Sequence, residues 1–385
     1  MKKSLLALAV LGALTGSAYA ADGVQLYGII DAGVAHYSNG NGSVTKLGTG
    51  IQSGSRIGLK GTEDLGGGLK ALFQIETGFC ANGGSVPQKT GAAVSSGNQY
   101  CTGGGFMGRT SMVGLTGNFG TAVAGRIYSL TFNDQAAVDP FGYGLTGSIS
   151  NIGTIGTPAR VNQAVAYISP TFSGFHVAGA YIFNDGLALN VGGAALPAGA
   201  NVSSTGAYNL QAGYSNGPVW VSGDYLRANW YNGDAAMKNW MLAGTYDFGV
   251  AKLAGMYAQN KLSAPGGAEA GNLQSWMLGA TVPVGPGAIL ASYTQAKDKD
   301  VASSTSKQYA IGYTYALSKQ TNLYASYAHI SNQSGGSVCS TLAGALSSTP
   351  SPACEVGDAT GNNSAPAGGA GMSSNGVAFG IRHQF

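Results

Sequence analysis

The sequence predicts an all-β chain that closes on itself as a 16-stranded antiparallel transmembrane β-barrel. Three observations carry that prediction. Only 9% of the 385 residues are Asp, Glu, Lys or Arg, where a soluble domain carries about 25%. Mean hydropathy is only +0.08, and no long apolar run follows the first twenty residues, which excludes a bundle of membrane helices. Segment after segment alternates large apolar with small or polar residues, the period of a strand with one face in lipid and the other in water.

Taken in order, the chain begins with a targeting segment. Lys2 and Lys3 precede the apolar stretch Leu5 to Leu14, and Ala18-Tyr19-Ala20 is a small-x-small cleavage site. Residues 1–20 therefore read as a cleaved signal peptide and 21–385 as the barrel. That apolar stretch is too short to cross a membrane as a helix, which takes ~20 residues. Strands are expected over 24–37, 52–62, 68–78, 106–117, 120–130 and 159–169. Ten more are expected over 174–184, 205–215, 218–229, 236–248, 250–261, 272–283, 287–297, 305–317, 320–331 and 375–385. The clearest runs from Tyr309 to Leu317, where every odd position is large and apolar and every even one small or polar. A tilted strand needs ~9 to 11 residues to cross a bilayer, and most of these ranges supply them.

The connections alternate in length. Tight ones hold Gly66-Gly67-Gly68, Asn118-Phe119, Pro170-Thr171, Asn216-Gly217-Pro218, Phe248-Gly249, Gly285-Pro286-Gly287 and Ser318-Lys319. Eight longer loops lie over 38–51, 79–105, 131–158, 185–204, 230–235, 262–271, 298–304 and 332–374. Short periplasmic turns on one side and long extracellular loops on the other are the layout of an outer-membrane barrel. A β-solenoid would repeat at a fixed period, which these unequal loops do not.

Several motifs then resemble the Gram-negative general porins, particularly the neisserial-type branch of β-proteobacteria. They are Val24-Gln25-Leu26-Tyr27-Gly28, Gly54-Ser55-Arg56-Ile57-Gly58-Leu59-Lys60-Gly61, Gly114-Leu115-Thr116-Gly117-Asn118-Phe119-Gly120, Asp139-Pro140-Phe141-Gly142 and the ending Gly380-Ile381-Arg382-His383-Gln384-Phe385. The resemblance covers the whole mature chain. It implies an outer-membrane homotrimer among lipids and lipopolysaccharide, passive diffusion of small hydrophilic solutes, and a third loop folded into the lumen. The final Phe385, after Val377, Phe379 and Ile381 at alternate positions, resembles the signal read by the outer-membrane insertion machinery.

Parity along the strands picks out a channel lining. Arg56 and Lys60 share one face of their strand while Ile57 and Leu59 share the other. A charge on the lipid face would cost ~2 to 4 kcal/mol at the midplane, so the basic pair faces water. By the same rule Arg126 with Tyr128 opposes Val123 and Ile127, Arg160 with Asn162 opposes Val161 and Val165, and Arg382 opposes Phe379 and Ile381. Arg109 shares parity with Val113 and Leu115, which a bulge or a subunit-facing wall would reconcile. The third loop carries Asp134 and Asp139. Folded inward, it would set these carboxylates opposite the basic wall and create a transverse field. Basic wall residues outnumber the expected lumen acids Asp31, Glu76 and Asp224, which favours weak anion preference. The alternatives are a phosphate- or sugar-specific pore of the same fold, or a barrel serving as surface enzyme or adhesin.

Cysteines fall as two sequence-local pairs in Gly/Ser-rich loops, Cys80 with Cys101 and Cys339 with Cys354. An exported chain and the lack of C-x-x-C spacing point to disulfides, of which local pairing closes the shortest loops while other connectivities stay open. The 79–105 loop resembles the porin loop that latches a neighbouring subunit. No G-x-S-x-G or H-E-x-x-H motif is present, and His36, His176, His329 and His383 lack paired metal spacing, so no enzyme activity, metal or cofactor is expected. The net charge is +3, and Lys2 and Lys3 contribute two of it, so nothing suggests nucleic acid.

Overall fold

Two-sided alternation decides which way each strand faces. Within Ser306–Ala316, Tyr309 and Ile311 are 50% and 56% exposed, whereas Gln308 and Ala310 beside them are 0% and 8%. The large apolar side chains point outward to lipid and the small and polar ones inward.

The computed structural model describes residues 23–82, 107–153, 157–184, 206–230, 235–263, 269–333 and 371–385. Its strands are β1 (Gly23–Asn39), β2 (Gly42–Thr49), β3 (Arg56–Gly66), β4 (Leu69–Gly78), β5 (Thr110–Gly117), β6 (Gly120–Tyr128), β7 (Arg160–Ile168), β8 (Phe175–Ile182) and β9 (Ala207–Asn216). They continue as β10 (Val219–Trp230), β11 (Ala235–Asp247), β12 (Lys252–Ser263), β13 (Glu269–Val284), β14 (Gly287–Asp298), β15 (Ser306–Ala316), β16 (Thr321–Asn332) and β17 (Ser374–Gln384). Neighbours pair antiparallel, and β1 closes on β17 from Ile29 opposite Gln384 to Asn39 opposite Ser374. A closed ring leaves no backbone edge in the hydrocarbon.

Each expected strand lies within about four residues of an observed one, and the correction concerns the first loop. Where sequence reading expects a long loop over 38–51, the chain turns at Gly40-Asn41 and returns at once as β2. One edge of β1 pairs with β3 through Gly23–Ile29 and with β2 through Ala32–Asn39. Thus β2 and β3 share one place in the wall, interrupted at residues 50–55, and the barrel has sixteen places for seventeen strands. The two large apolar residues of β2, Val44 and Leu47, are three positions apart and fall on opposite faces, so its sequence shows no period of two.

Asp31 holds that interruption. Its Oδ2 accepts the amides of Gln52 and Ser53 at 2.7 and 2.6 Å, and its carbonyl accepts the amide of Gly50. On the tight side of the barrel, Gly66, Gly67 and Gly68 take φ of +88°, +59° and +82°, a run of left-handed conformations that only glycine adopts without strain.

Between β6 and β7 the chain folds into the barrel. It begins as the helix α1 (Leu130–Val138), whose N-cap Ser129 accepts the amide of Phe132. Sequence reading gives this stretch no helix. The helix buries Leu130, Thr131, Asp134, Gln135 and Val138 on one face and packs across β8–β12. The chain then follows the inner wall: the Gly153 carbonyl accepts Ser275 Oγ of β13, those of Gly147 and Ser148 accept Gln308 Nε2 of β15, and Thr146 Oγ1 donates to Ser326 Oγ of β16. Val138, Tyr143 and Ile149 bury themselves against Trp220, Met241, Met256 and Met277, so the apolar core lies between loop and wall. No helix among the described residues is long and apolar enough to cross a membrane.

Candidate functional site

The inward loop occupies the arc from β8 to β16, and most of the predicted basic residues occupy the other arc, on β17, β3, the start of β5, β6 and β7. Glu76 of β4, 1% exposed, organises them. Its Oε1 accepts Arg109 Nε at 2.6 Å, and its Oε2 accepts Tyr27 OH at 3.0 Å and lies 3.9 Å from Arg56 Nη1. These are the two ion pairs among the described residues. Arg109 Nη2 donates to Tyr128 OH at 3.2 Å, and Arg160 Nη2 donates to the same oxygen. The Tyr128 ring lies between the guanidinium of Arg160, 4.2 Å from its centroid, and the ring of Phe132, stacked at 4.9 Å. Lys60 lies over Tyr27 at 5.2 Å. One network thus joins Lys60, Tyr27, Glu76, Arg56, Arg109, Tyr128 and Arg160.

Bulges settle the parity of this wall. Arg109 precedes β5, and its amide bonds to the carbonyl of Glu76, the residue paired with Thr110. Two residues facing one is bulge geometry, and it turns Arg109 inward although Val113 and Leu115 face lipid. Between β6 and β7 the register shifts at Gly125/Ile127, where Gln163 takes a φ of +46° and Gly125 one of +133°. The expectation that Val123, Ile127 and Val161 face lipid is thereby corrected: they are 9%, 6% and 1% exposed and belong to the interior cluster, while Ala124 and Val165 are exposed. Arg126 is half-buried, donates to the Gly108 carbonyl and to Asn162 Oδ1, and lies in the field of Arg109 and Arg160. Arg382 pairs across the barrel closure with Asp31 and lies in the fields of Asp31 and Arg56.

The predicted acidic row of the third loop takes a different form. Asp134 is 4% exposed, accepting Gln211 Nε2 at 2.7 Å and Ser222 Oγ at 2.6 Å. Asp139 is 5% exposed and accepts three amides of its own loop, those of Phe141, Tyr143 and Ile149, each at 3.0 Å. Neither carboxylate is offered to the lumen surface, because each satisfies donors that the loop fold would otherwise orphan. Burial pushes both carboxyls up to about 6, against the opposing pull of their hydrogen bonds. Asp224 on the wall is likewise buried, accepting Thr131 Oγ1 and Asn209 Nδ2. Asp31 is committed to the strand interruption and to Tyr324 OH at 2.7 Å.

Sequence reasoning missed the tyrosines. Tyr27, Tyr128 and Tyr324 orient the charged groups, and the parity of Tyr128 with Arg126 was the one available signal. Cys80 is disulfide-bonded, whereas Cys101, Cys339 and Cys354 lie outside the described residues. So do residues 1–20, expected to be a signal peptide, and most of the 79–105 and 332–374 loops. Phe385 bonds both ways with Gly28, at 3.0 and 3.1 Å, and lays its ring where a Gly28 Cβ would come within 2.2 Å. No group of His, Cys, Asp and Glu among the described residues could hold a metal ion.

Comparison with known proteins matches residues 7–335 to the family model described as Gram-negative porin. The chain is 32% identical to outer membrane porin protein 32 of Delftia acidovorans over 401 residues, covering 100% of both chains. It is 32% identical to an outer membrane porin protein of Bordetella pertussis over 380 residues, covering 84% of this chain and 93% of that one. Among solved structures, an anion-selective porin from Comamonas acidovorans superposes with a TM-score of 0.73 at 30% identity, covering 94% of this chain and 99% of that one.

Proposed function

This chain belongs to the Gram-negative porin family, and from that premise we propose that it is an outer-membrane diffusion channel for small hydrophilic solutes and ions, weakly selective for anions through an arginine-lined constriction. The observation that carries the anion preference is the division of the wall. Arg56, Lys60, Arg109, Arg126, Arg160 and Arg382 share one arc, where the buried carboxylates beside them are those of Glu76 and Asp31, while Glu63 and Asp64 lie exposed near the turn end of β3 and Asp134, Asp139 and Asp224 are sequestered in hydrogen bonds. The uncompensated positive charge raises the local concentration of anions. Tyr128 and Tyr27 hold the arginine-rich network in fixed positions, so its field is built before a solute arrives. Passage is by size and charge, with no bond made or broken, and the chain acts as a channel rather than an enzyme. The anion selectivity of the Comamonas acidovorans relative supports the same reading.

In this reading the mature barrel begins after Ala20, the subunits assemble as a homotrimer among outer-membrane lipids and lipopolysaccharide, and the insertion machinery reads the strand that ends at Phe385. The test is single-channel recording in a planar bilayer under a salt gradient. Reversal toward the chloride potential is expected. Reversal toward the cation potential overturns the anion preference, and absence of conductance from a folded barrel overturns the channel.

A further inference from the structure

On the outer face of β10–β15 the charged side chains that alternate toward lipid are Arg227, Lys238, Lys261, Lys297 and Lys307. Every one is a cation, and every one lies at the loop end of its strand. Three stand in one row, because Arg227 pairs with Lys238 and Lys238 with Lys261. Like charges directly opposite on neighbouring strands destabilise a sheet, and such strands are only about 4.8 Å apart. None of the three forms an ion pair among the described residues, and Asp300 feels the charge of Lys261 without pairing with it. At the turn end of the barrel the pattern differs, since Lys252 stands opposite Asp247 and Lys70 opposite Asp64. There the chain supplies its own counter-charge, whereas the row must take one from outside.

Just below the row, toward the tight turns, the same face becomes aromatic. Tyr225 pairs with Trp240 and Tyr257 with Trp276, and the rings of Trp240 and Tyr257 stand 5.0 Å apart. Farther down, Leu242, Leu253 and Leu278 are exposed. Aromatic side chains girdle a barrel where hydrocarbon meets the head groups. The row therefore stands at the level of the outer-leaflet head groups, with apolar wall beneath it.

We propose that Arg227, Lys238 and Lys261 bind the head group of an outer-leaflet lipid that carries a phosphomonoester, its acyl chains lying on the apolar wall below Trp240 and Tyr257. A phosphomonoester brings close to two negative charges and three acceptor oxygens, which suits cations that converge from adjacent strands. A phosphodiester brings one charge. The girdle and the apolar wall continue directly from the row, so a lipid is held at both ends where free phosphate is held at one. The site lies on the opposite face of the wall from the lumen and does not depend on the anion preference.

The test uses the full-length barrel in neutral detergent micelles, with phosphatidic acid, phosphatidylglycerol and phosphatidylcholine brominated on their acyl chains as probes. Bromine quenches the fluorescence of Trp240, which shares the outer face with Lys238 two residues away. Phosphatidic acid is expected to quench at the lowest mole fraction. Lys238→Gln together with Lys261→Gln should raise that fraction by about fivefold for each charge removed. Lys238→Arg with Lys261→Arg should preserve it, as should Lys319→Gln in a tight turn. Equal quenching by phosphatidic acid and phosphatidylcholine, or a glutamine pair that behaves like Lys319→Gln, overturns the site. Phosphatidylglycerol as effective as phosphatidic acid overturns the monoester, and displacement of phosphatidic acid by inorganic phosphate overturns the lipid.

Discussion

Arg109 Nε lies 2.6 Å from Glu76 Oε1 with both side chains all but excluded from solvent, at 2% and 1% exposure. The pair is the pivot of the basic wall, since Glu76 also faces Arg56 and Tyr27. Removing one partner of a buried pair leaves the other charge uncompensated. Glu76→Gln keeps the shape and should therefore cost on the order of 3 kcal/mol, read as a lower midpoint for unfolding in urea. It should also shift the reversal potential further toward the chloride potential. An unchanged midpoint would show that the arginines do not depend on Glu76.

Arg56 is the partner of Glu76 that water reaches, with 17% of its side chain exposed. Arg56→Gln should lower the anion preference without unfolding the barrel. Its effect should shrink between 0.1 M and 1 M KCl, because the screening length falls from about 10 Å to about 3 Å. An effect equally large at both concentrations would point to a change in pore shape instead of charge.

The docking of α1 should depend on pH in the opposite sense to an ordinary ion pair. Asp134 is buried among neutral donors, and burial holds its carboxyl at about 6 when docked, against ~3.9 when free. The docked state therefore binds more protons between about pH 4 and 6, so docking weakens as pH rises through that window and is level above it. The difference amounts to roughly 3 kcal/mol at most for two pH units. Amide exchange over residues 130–138 should be slower at pH 4 than at pH 7 after correction for intrinsic rates, and Asp134→Asn should reduce the difference, the remainder belonging to Asp139 at the end of the helix, whose carboxyl burial also pushes up. Asn suits the site, since Gln211 still has an acceptor and the Ser222 hydroxyl can accept as well as donate.

How much of this was legible in the sequence depended on how far a period of two persists. Arg56 and Lys60 lie on an uninterrupted strand, and their inward facing followed from parity alone. At Gly125, Gln163 and Arg109 a bulge resets the alternation, so Val123, Ile127 and Val161 were assigned to the wrong face. The carboxylates of the third loop failed for another reason. In sequence a loop Asp bound for the lumen looks the same as Asp139, which accepts amides of its own loop up to ten residues away. The first strand is evident over 24–37, nearly the whole of β1, yet the return strand β2 is not, because its place in the wall depends on pairing with Ala32–Asn39 and on Asp31 gripping the interruption that follows.

The seam between first and last strands is set by an absence of side chains. Gly33 pairs with Gly380, and Tyr324 from β16 reaches across both to donate its hydroxyl to Asp31 at 2.7 Å. A Cβ on Gly380 would come within 2.3 Å of the Tyr324 oxygen and 2.6 Å of the Ala32 carbonyl, and one on Gly33 within 2.5 Å of the Phe379 carbonyl. Tyr324 would have to move aside, and the ladder at Ala32 would have to shift as well, because its carbonyl is backbone. Gly380→Ala should cost about 1 to 3 kcal/mol from crowding and also release the hydroxyl from Asp31. Tyr324→Phe isolates the second effect, about 1.5 to 3 kcal/mol for a bond to a charged acceptor, while the ring continues to fill the slot. Exchange of the Gln52 and Ser53 amides reports it directly, because Asp31 holds both. If Tyr324→Phe leaves those amides as protected as before, Asp31 keeps the strand interruption in place without the tyrosine, and the loss in Gly380→Ala is crowding alone.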